Sequence, residues 1–187
     1  MLGPMRHRVR TLLTAVALSG ALLTLAYAAV SNAPPPRGQA AELGLPNFAQ
    51  VSTNLYRGAQ PEEAGFDALA RMGVQTVINL RRLHDDDLRP GLPLRELRVP
   101  MRAEDPELAD VKTFLRLATT PTNLPAFVHC RRGADRTGLM VASYRVVVQG
   151  WDKPRALEEM KSGGYAFFPG YRDIVTLIEQ LDAESLR

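Results

Sequence analysis

His129-Cys130-Arg131-Arg132-Gly133-Ala134-Asp135-Arg136-Thr137-Gly138 is the stretch on which the reading of this chain turns. An apolar run, Pro125-Ala126-Phe127-Val128, precedes it. A helix-like run, Leu139-Met140-Val141-Ala142-Ser143-Tyr144, follows, so the local order is strand, tight loop, helix. A loop that feeds a helix start binds anions, because free backbone N–H groups and the helix dipole point at one spot. The chain's single cysteine stands at the head of this loop. Nearby cations and a helix N-terminus favour a thiolate over a thiol, so a nucleophile and an anion cradle coincide.

Each residue type has a chemical use here. Cys130 can attack phosphorus and carry a covalent phosphoryl group. Arg136 offers a planar fork of donors that matches two phosphate oxygens. Arg131, Arg132, Gly133, Ala134, Asp135 and Thr137 complete the substrate cradle. Gly133 supplies the backbone freedom that a loop wrapped around one anion needs. Thr137, at the helix start, can cap the backbone or hydrogen-bond the sulfur. His129 supports the loop from behind. A lone cysteine is often just a small buried hydrophobe. A structural cysteine has no need of arginine at this spacing, glycine within the loop and Thr-Gly opening a helix.

His-Cys, five residues, Arg, Thr, Gly resembles the signature loop of the cysteine-based protein tyrosine phosphatase superfamily. Asn54-Leu55-Tyr56-Arg57-Gly58-Ala59-Gln60-Pro61 and Gly73-Val74-Gln75-Thr76-Val77-Ile78-Asn79-Leu80-Arg81 resemble the opening of its compact, dual-specificity-like bacterial and fungal members. The resemblance spans residues 48 to 182. It implies hydrolysis of phosphomonoesters, phosphotyrosine among them, through a phosphocysteine and without cofactor or metal. Superfamily members often place an aspartate upstream as general acid. Asp105, in Arg102-Ala103-Glu104-Asp105-Pro106, is the first candidate, although this chain lacks the Trp-Pro-Asp triplet of the receptor-type enzymes. Glu104 and Asp135 are its rivals. Asp before Pro is also a good helix cap, and Asp135 can equally brace the loop.

Along the chain, strands and helices alternate. Strands are expected at 55–57, 74–80, 94–99 and 126–129. Helices are expected from Pro61 to Gly73, at 106–118 and 137–149, from Asp152 to Gly163, and at 171–181. This predicts an α/β domain over 48–187, a mostly parallel central sheet flanked by helices, resembling the protein tyrosine phosphatase fold. His84-Asp85-Asp86-Asp87 reads as a solvated acidic loop rather than a metal site, for no second ligand cluster stands at metal spacing. Tyr165, Phe167 and Phe168 are expected to pack the last helices, with Tyr165 a possible pocket wall.

The 187 residues are 45% hydrophobic and 23% charged, with a formal charge of +3. Residues 1–40 hold Arg6, Arg8, Arg10 and Arg37 and no acid, which leaves 19 basic against 20 acidic residues elsewhere. Nothing in this balance calls for a nucleic-acid partner. Thr11 to Val30 carries no charge and follows a basic segment, so residues 1–30 read as an export signal or membrane anchor helix. Ala26-Tyr27-Ala28 fits a cleavage rule, and residues 31–47 read as a Pro-rich linker. Either outcome predicts a membrane-anchored or exported domain on the extracytoplasmic side. Arg131 and Arg132 beside the pocket favour polyanionic substrates, so inositol phosphates or phosphoinositide lipids stand beside phosphoproteins as candidates. A sulfurtransferase, or a pseudophosphatase that binds phosphate without turnover, are the readings from other classes.

Overall fold

The structure, a computed structural model, describes residues 34–186. The expected signal or anchor helix at 1–30 lies outside the described residues. Among the described residues, no helix is long and apolar enough to cross a membrane.

Five strands, β1 (Ala49–Ser52), β2 (Leu55–Gly58), β3 (Thr76–Asn79), β4 (Arg95–Arg98) and β5 (Ala126–His129), form one sheet in the order β1-β2-β5-β3-β4. β2, β5, β3 and β4 are parallel, and β1 pairs antiparallel with β2. The mostly parallel sheet is as expected; the antiparallel edge strand is an addition. His129 at the end of β5 sits in register with Gly58 of β2 and Asn79 of β3. The three central strands thus end together, and the loop after β5 opens at their carboxyl edge, where open α/β sheets place their ligands.

Side chains alternate across the sheet. Leu55, Ile78, Ala126 and Val128 face one core, shared with α3 (Leu108–Thr119), α4 (Asp135–Val147), α5 (Lys153–Ser162) and α6 (Arg172–Gln180). Tyr56, Val77 and Phe127 face the other, with Phe48 and with Phe66 and Leu69 of α2 (Glu63–Arg71). Between Arg136 and the end of α4 every residue is buried, because α3, α5 and α6 all pack on this helix. Such a helix loses its polar face, and its sequence loses the amphipathic period. Gly138 permits the close approach of α5: a Cβ there would stand 2.9 Å from Met160 Cγ.

The stretch read as a linker at 31–47 contains a further helix, α1 (Arg37–Glu42). Ala40 and Leu45 are wholly buried in the second core, and Arg37 Nη1 donates to Gly163 O at 3.1 Å. The folded unit therefore starts before the expected boundary at residue 48. Pro34-Pro35-Pro36 suppresses helix up to that point, and Pro is well tolerated at a helix start. Ala40 and Leu45 then supply the apolar anchors that a true linker lacks.

Candidate active site

The loop begins as β5 ends and closes as α4 begins. Gly133 has φ +67°, and a Cβ there would lie 2.5 Å from Ala59 N and from the Gly58 carbonyl. Both the left-handed backbone and the contact with the chain after β2 require glycine. Cys130 is 2% exposed and lies in the wall of a cavity of about 590 Å³. Arg82, Arg102, Arg131, Arg132 and Arg136 line the same cavity and make it electropositive.

Arg136 Nη1 donates to Leu80 O at 3.2 Å and to Met101 O at 3.4 Å, the carbonyls just after β3 and β4. Both bonds use Nη1, which leaves the Nε and Nη2 edge of the fork for a bidentate anion. Thr137 is fully buried and its Oγ1 has no hydrogen-bond partner. Buried hydroxyls without partners are uncommon in folded proteins. Thr137 sits in the first turn of α4, two residues after the helix opens.

The carboxylates separate. Glu104 lines the cavity, while Asp105 is exposed and outside its wall. Asp135 is buried and has both oxygens engaged: Oδ1 accepts from Phe168 N–H and Oδ2 from Arg132 Nη2, each at 2.8 Å. Asp135 therefore braces the loop against the segment before α6. Tyr171 lines the cavity; Tyr165 is instead stacked against Arg57 and Arg37.

His129 is fully buried, and its Nε2 lies 2.9 Å from Asp86 Oδ2. A carboxylate only accepts, so Nε2 carries the proton. Asp86 Oδ1 accepts from Gln60 Nε2 at 2.7 Å, and Gln60 Oε1 from Arg81 Nη1 at 2.9 Å. The acidic loop is thus not uniformly solvated, as its sequence suggests. Asp86 alone turns inward, its backbone N–H held by Glu96 Oε1 at 3.0 Å. Nothing in Asp85-Asp86-Asp87 marks the middle residue; only the loop's path does so. Among the described residues, no cluster of His, Cys, Asp and Glu is placed to hold a metal ion.

Burial raises the Asp86 carboxyl, but the hydrogen bond and charge of His129 and the bond from Gln60 outweigh it, so the net value lies below the usual one. A depressed folded value stabilises the fold above the unfolded carboxyl range, about pH 4. That stabilisation is lost as pH falls through the lower folded value. Asp86→Asn is expected to cost about 1–3 kcal/mol at pH 7 and to flatten this part of the acid limb. Urea unfolding from pH 3 to 7 measures both.

A lone cysteine at the start of a strand-loop-helix turn, in one cavity wall with an anchored arginine, has the make-up of a cysteine-dependent phosphatase site. Comparison places it more closely. Residues 42–167 match the family described as "DSP-PTPase phosphatase fused to NAD+ Kinase", and the chain belongs to this family of dual-specificity-type phosphatases. The dual specificity protein phosphatase TpbA of Pseudomonas aeruginosa (strain PAO1) is 36% identical over 184 residues, covering 98% of this chain and 83% of that one. The crystal structure of a cysteine-to-serine variant of TpbA in complex with pTyr is 36% identical, with a TM-score of 0.68, over 75% of this chain and 88% of that one. The inositol diphosphatase DSP5 of Arabidopsis thaliana is 29% identical over 123 residues, covering 61% of this chain and 60% of that one. The protein is a cysteine-dependent phosphatase.

Proposed function

We propose that the protein hydrolyses phosphotyrosine in protein substrates, with Cys130 as nucleophile and Arg136 as the phosphate and transition-state ligand. The observation that carries this reading is that Cys130 and Arg136 line one cavity, with Arg136 anchored through Nη1 alone. The Cys130 thiolate attacks phosphorus and the ester P–O bond breaks. The departing oxygen takes a proton from a carboxylic acid. Water then attacks the phosphocysteine, gives its proton to the same carboxylate, and releases inorganic phosphate and the thiolate. Thr137 Oγ1 stabilises the sulfur as it leaves, and the N–H groups of the loop from Arg131 onward hold the equatorial oxygens.

Asp105 carries the proton in this proposal. It is exposed, and catalytic hydrogen bonds commonly tighten only in the substrate complex. Glu104, on the cavity wall, is the alternative. Asp105→Asn is expected to lower kcat on aryl phosphates by about 10²–10³-fold and to remove the alkaline limb of the pH profile. If Glu104→Gln does this instead, the proton resides one residue earlier.

A second reading is favoured by the five arginines around the cavity, more cations than a monoester dianion needs. It takes inositol phosphates or phosphoinositide head groups as substrates. Turnover of the full chain on a phosphotyrosyl peptide panel and an inositol phosphate panel, with EDTA present, ranks the two. A kcat/KM at least tenfold higher on the inositol panel would reverse the order. We also propose that residues 1–30 export the domain or tether it to the outer face of a membrane. Recovery of the full chain in the cytoplasmic fraction with its first residues intact would refute that.

A further inference from the structure

Three successive carbonyls of the catalytic loop are held from outside it. Arg131 O accepts from Gln60 N–H at 3.3 Å, Arg132 O from Asn47 Nδ2 at 3.0 Å, and Gly133 O from Arg57 Nη2 at 2.8 Å. In a trans peptide, the C=O of one residue and the N–H of the next point in opposite directions. Fixing these three carbonyls away from the cavity turns the N–H groups of Arg132, Gly133 and Ala134 towards it. An anion nest requires such an arrangement, and a loop left alone would be free to rotate its peptides.

The donors are themselves held. Asn47 has φ +54°, a left-handed conformation that asparagine tolerates, and Nδ2 also donates to Tyr165 O at 3.1 Å. Arg57 is 1% exposed and, among the described residues, forms no ion pair with a carboxylate. Its Cζ stands 3.5 Å from the centroid of the Tyr165 ring, and Arg37 of α1 stacks on that same ring at 4.0 Å. Its Nε has no partner. Burial lowers the Arg57 guanidinium to about 10, against the opposing pull of Tyr165, Glu159 and Cys130, so it remains charged at neutral pH. Glu159 acts on it only from a distance, being paired with Arg145, and a buried cation with no carboxylate in contact is costly unless an anion repays it. The anions nearest in function are the Cys130 thiolate and the bound phosphate.

We propose that Arg57 and Asn47 are positioning residues for the phosphate loop: they preset its peptide planes for the incoming phosphoryl group, and Arg57 adds a buried positive charge behind it. The proposal rests on the phosphatase reading of the loop. Neither residue lies in the cavity wall, so they act through Gly133 and Arg132 rather than on substrate.

The test uses the full chain and tungstate, a phosphate-like oxyanion, in calorimetry, beside steady-state kinetics and urea unfolding. Arg57→Met keeps length and packing but removes the donor and the charge. It is expected to weaken tungstate binding about tenfold and to lower kcat/KM by at least as much, as for loss of one charge-assisted hydrogen bond. Arg57→Lys is expected to recover most of the tungstate affinity. Asn47→Gly keeps the left-handed backbone and is expected to lose about threefold. Folded Arg57→Met that binds tungstate within twofold of wild type would overturn the proposal. So would a lysine variant no better than the methionine one, since that marks shape alone. If Arg57→Met does not fold, Asn47→Gly decides by the same readout, and undiminished affinity overturns the proposal. Tungstate binding without turnover in the wild-type chain would count against the phosphatase reading and leave this comparison intact.

Discussion

Cys130→Ser is expected to reduce turnover by about 10⁴-fold or more, a barrier increase above about 5 kcal/mol, while the oxyanion site stays occupied at near wild-type affinity. The two effects separate because the residue has two surroundings. Among the described residues its sulfur is the one thiol in the cavity wall, and a serine hydroxyl there stays protonated and attacks phosphorus far more slowly. The cradle is built by others: the loop amides, set by carbonyls tied to residues 47–60, and the Arg136 fork. Serine is close to cysteine in size, and the loop amides can satisfy its hydroxyl, so stability should change by less than about 1 kcal/mol. Phosphatase assay, tungstate calorimetry and urea unfolding on one preparation test all three. A serine variant with more than a hundredth of wild-type turnover would exclude the phosphocysteine route.

Arg136→Ala is expected to be nearly as damaging, with kcat/KM reduced by about 10²–10⁴-fold and tungstate binding weakened in parallel. Two hydrogen bonds to a charged group, each worth about 1.5–3 kcal/mol, set that range. Arg136→Lys should recover little of it, because an ammonium is a point charge and cannot present two parallel donors. The lysine would also lose the anchor to Leu80 O and Met101 O that holds the fork in plane. Arg131 and Arg132 make the contrast. Both are exposed at the rim, where solvent screens charge, so alanine there should alter substrate preference and salt dependence more than the chemical step. A lysine variant with near wild-type kcat/KM would reduce the role of Arg136 to simple charge.

How much was legible follows from where each signal lies. The strand-loop-helix around Cys130 was read correctly because its determinants are local: a β-branched and apolar strand, a glycine at φ +67°, and a helix start within ten residues. The parallel strands and most helices were likewise visible from period and punctuation. β1 was missed because Ala49-Gln50-Val51-Ser52 has little strand character and forms by pairing with β2. α1 was missed because three prolines and an uncharged run before it suggest a linker, and its one buried residue, Ala40, is too small to mark a face. Tyr165 was weighed as a pocket wall, but the partner that captures it, Arg57, lies more than a hundred residues away.

Sequence by itself determined the α/β architecture and the reaction class, and it singled out Cys130 and Arg136 as the proposed nucleophile and phosphate ligand, since each is carried by adjacent residues with fixed chemistry. Tertiary structure decided the rest. It chose Asp86 from three neighbouring aspartates to hold His129, occupied both oxygens of Asp135, and put Glu104 rather than Asp105 on the cavity wall. It also brought Asn47 and Arg57 behind the loop. The physical reason is one of range. Backbone conformation and residue chemistry act over a few positions, whereas the direction a side chain takes depends on which distant partner burial brings within about 3 Å.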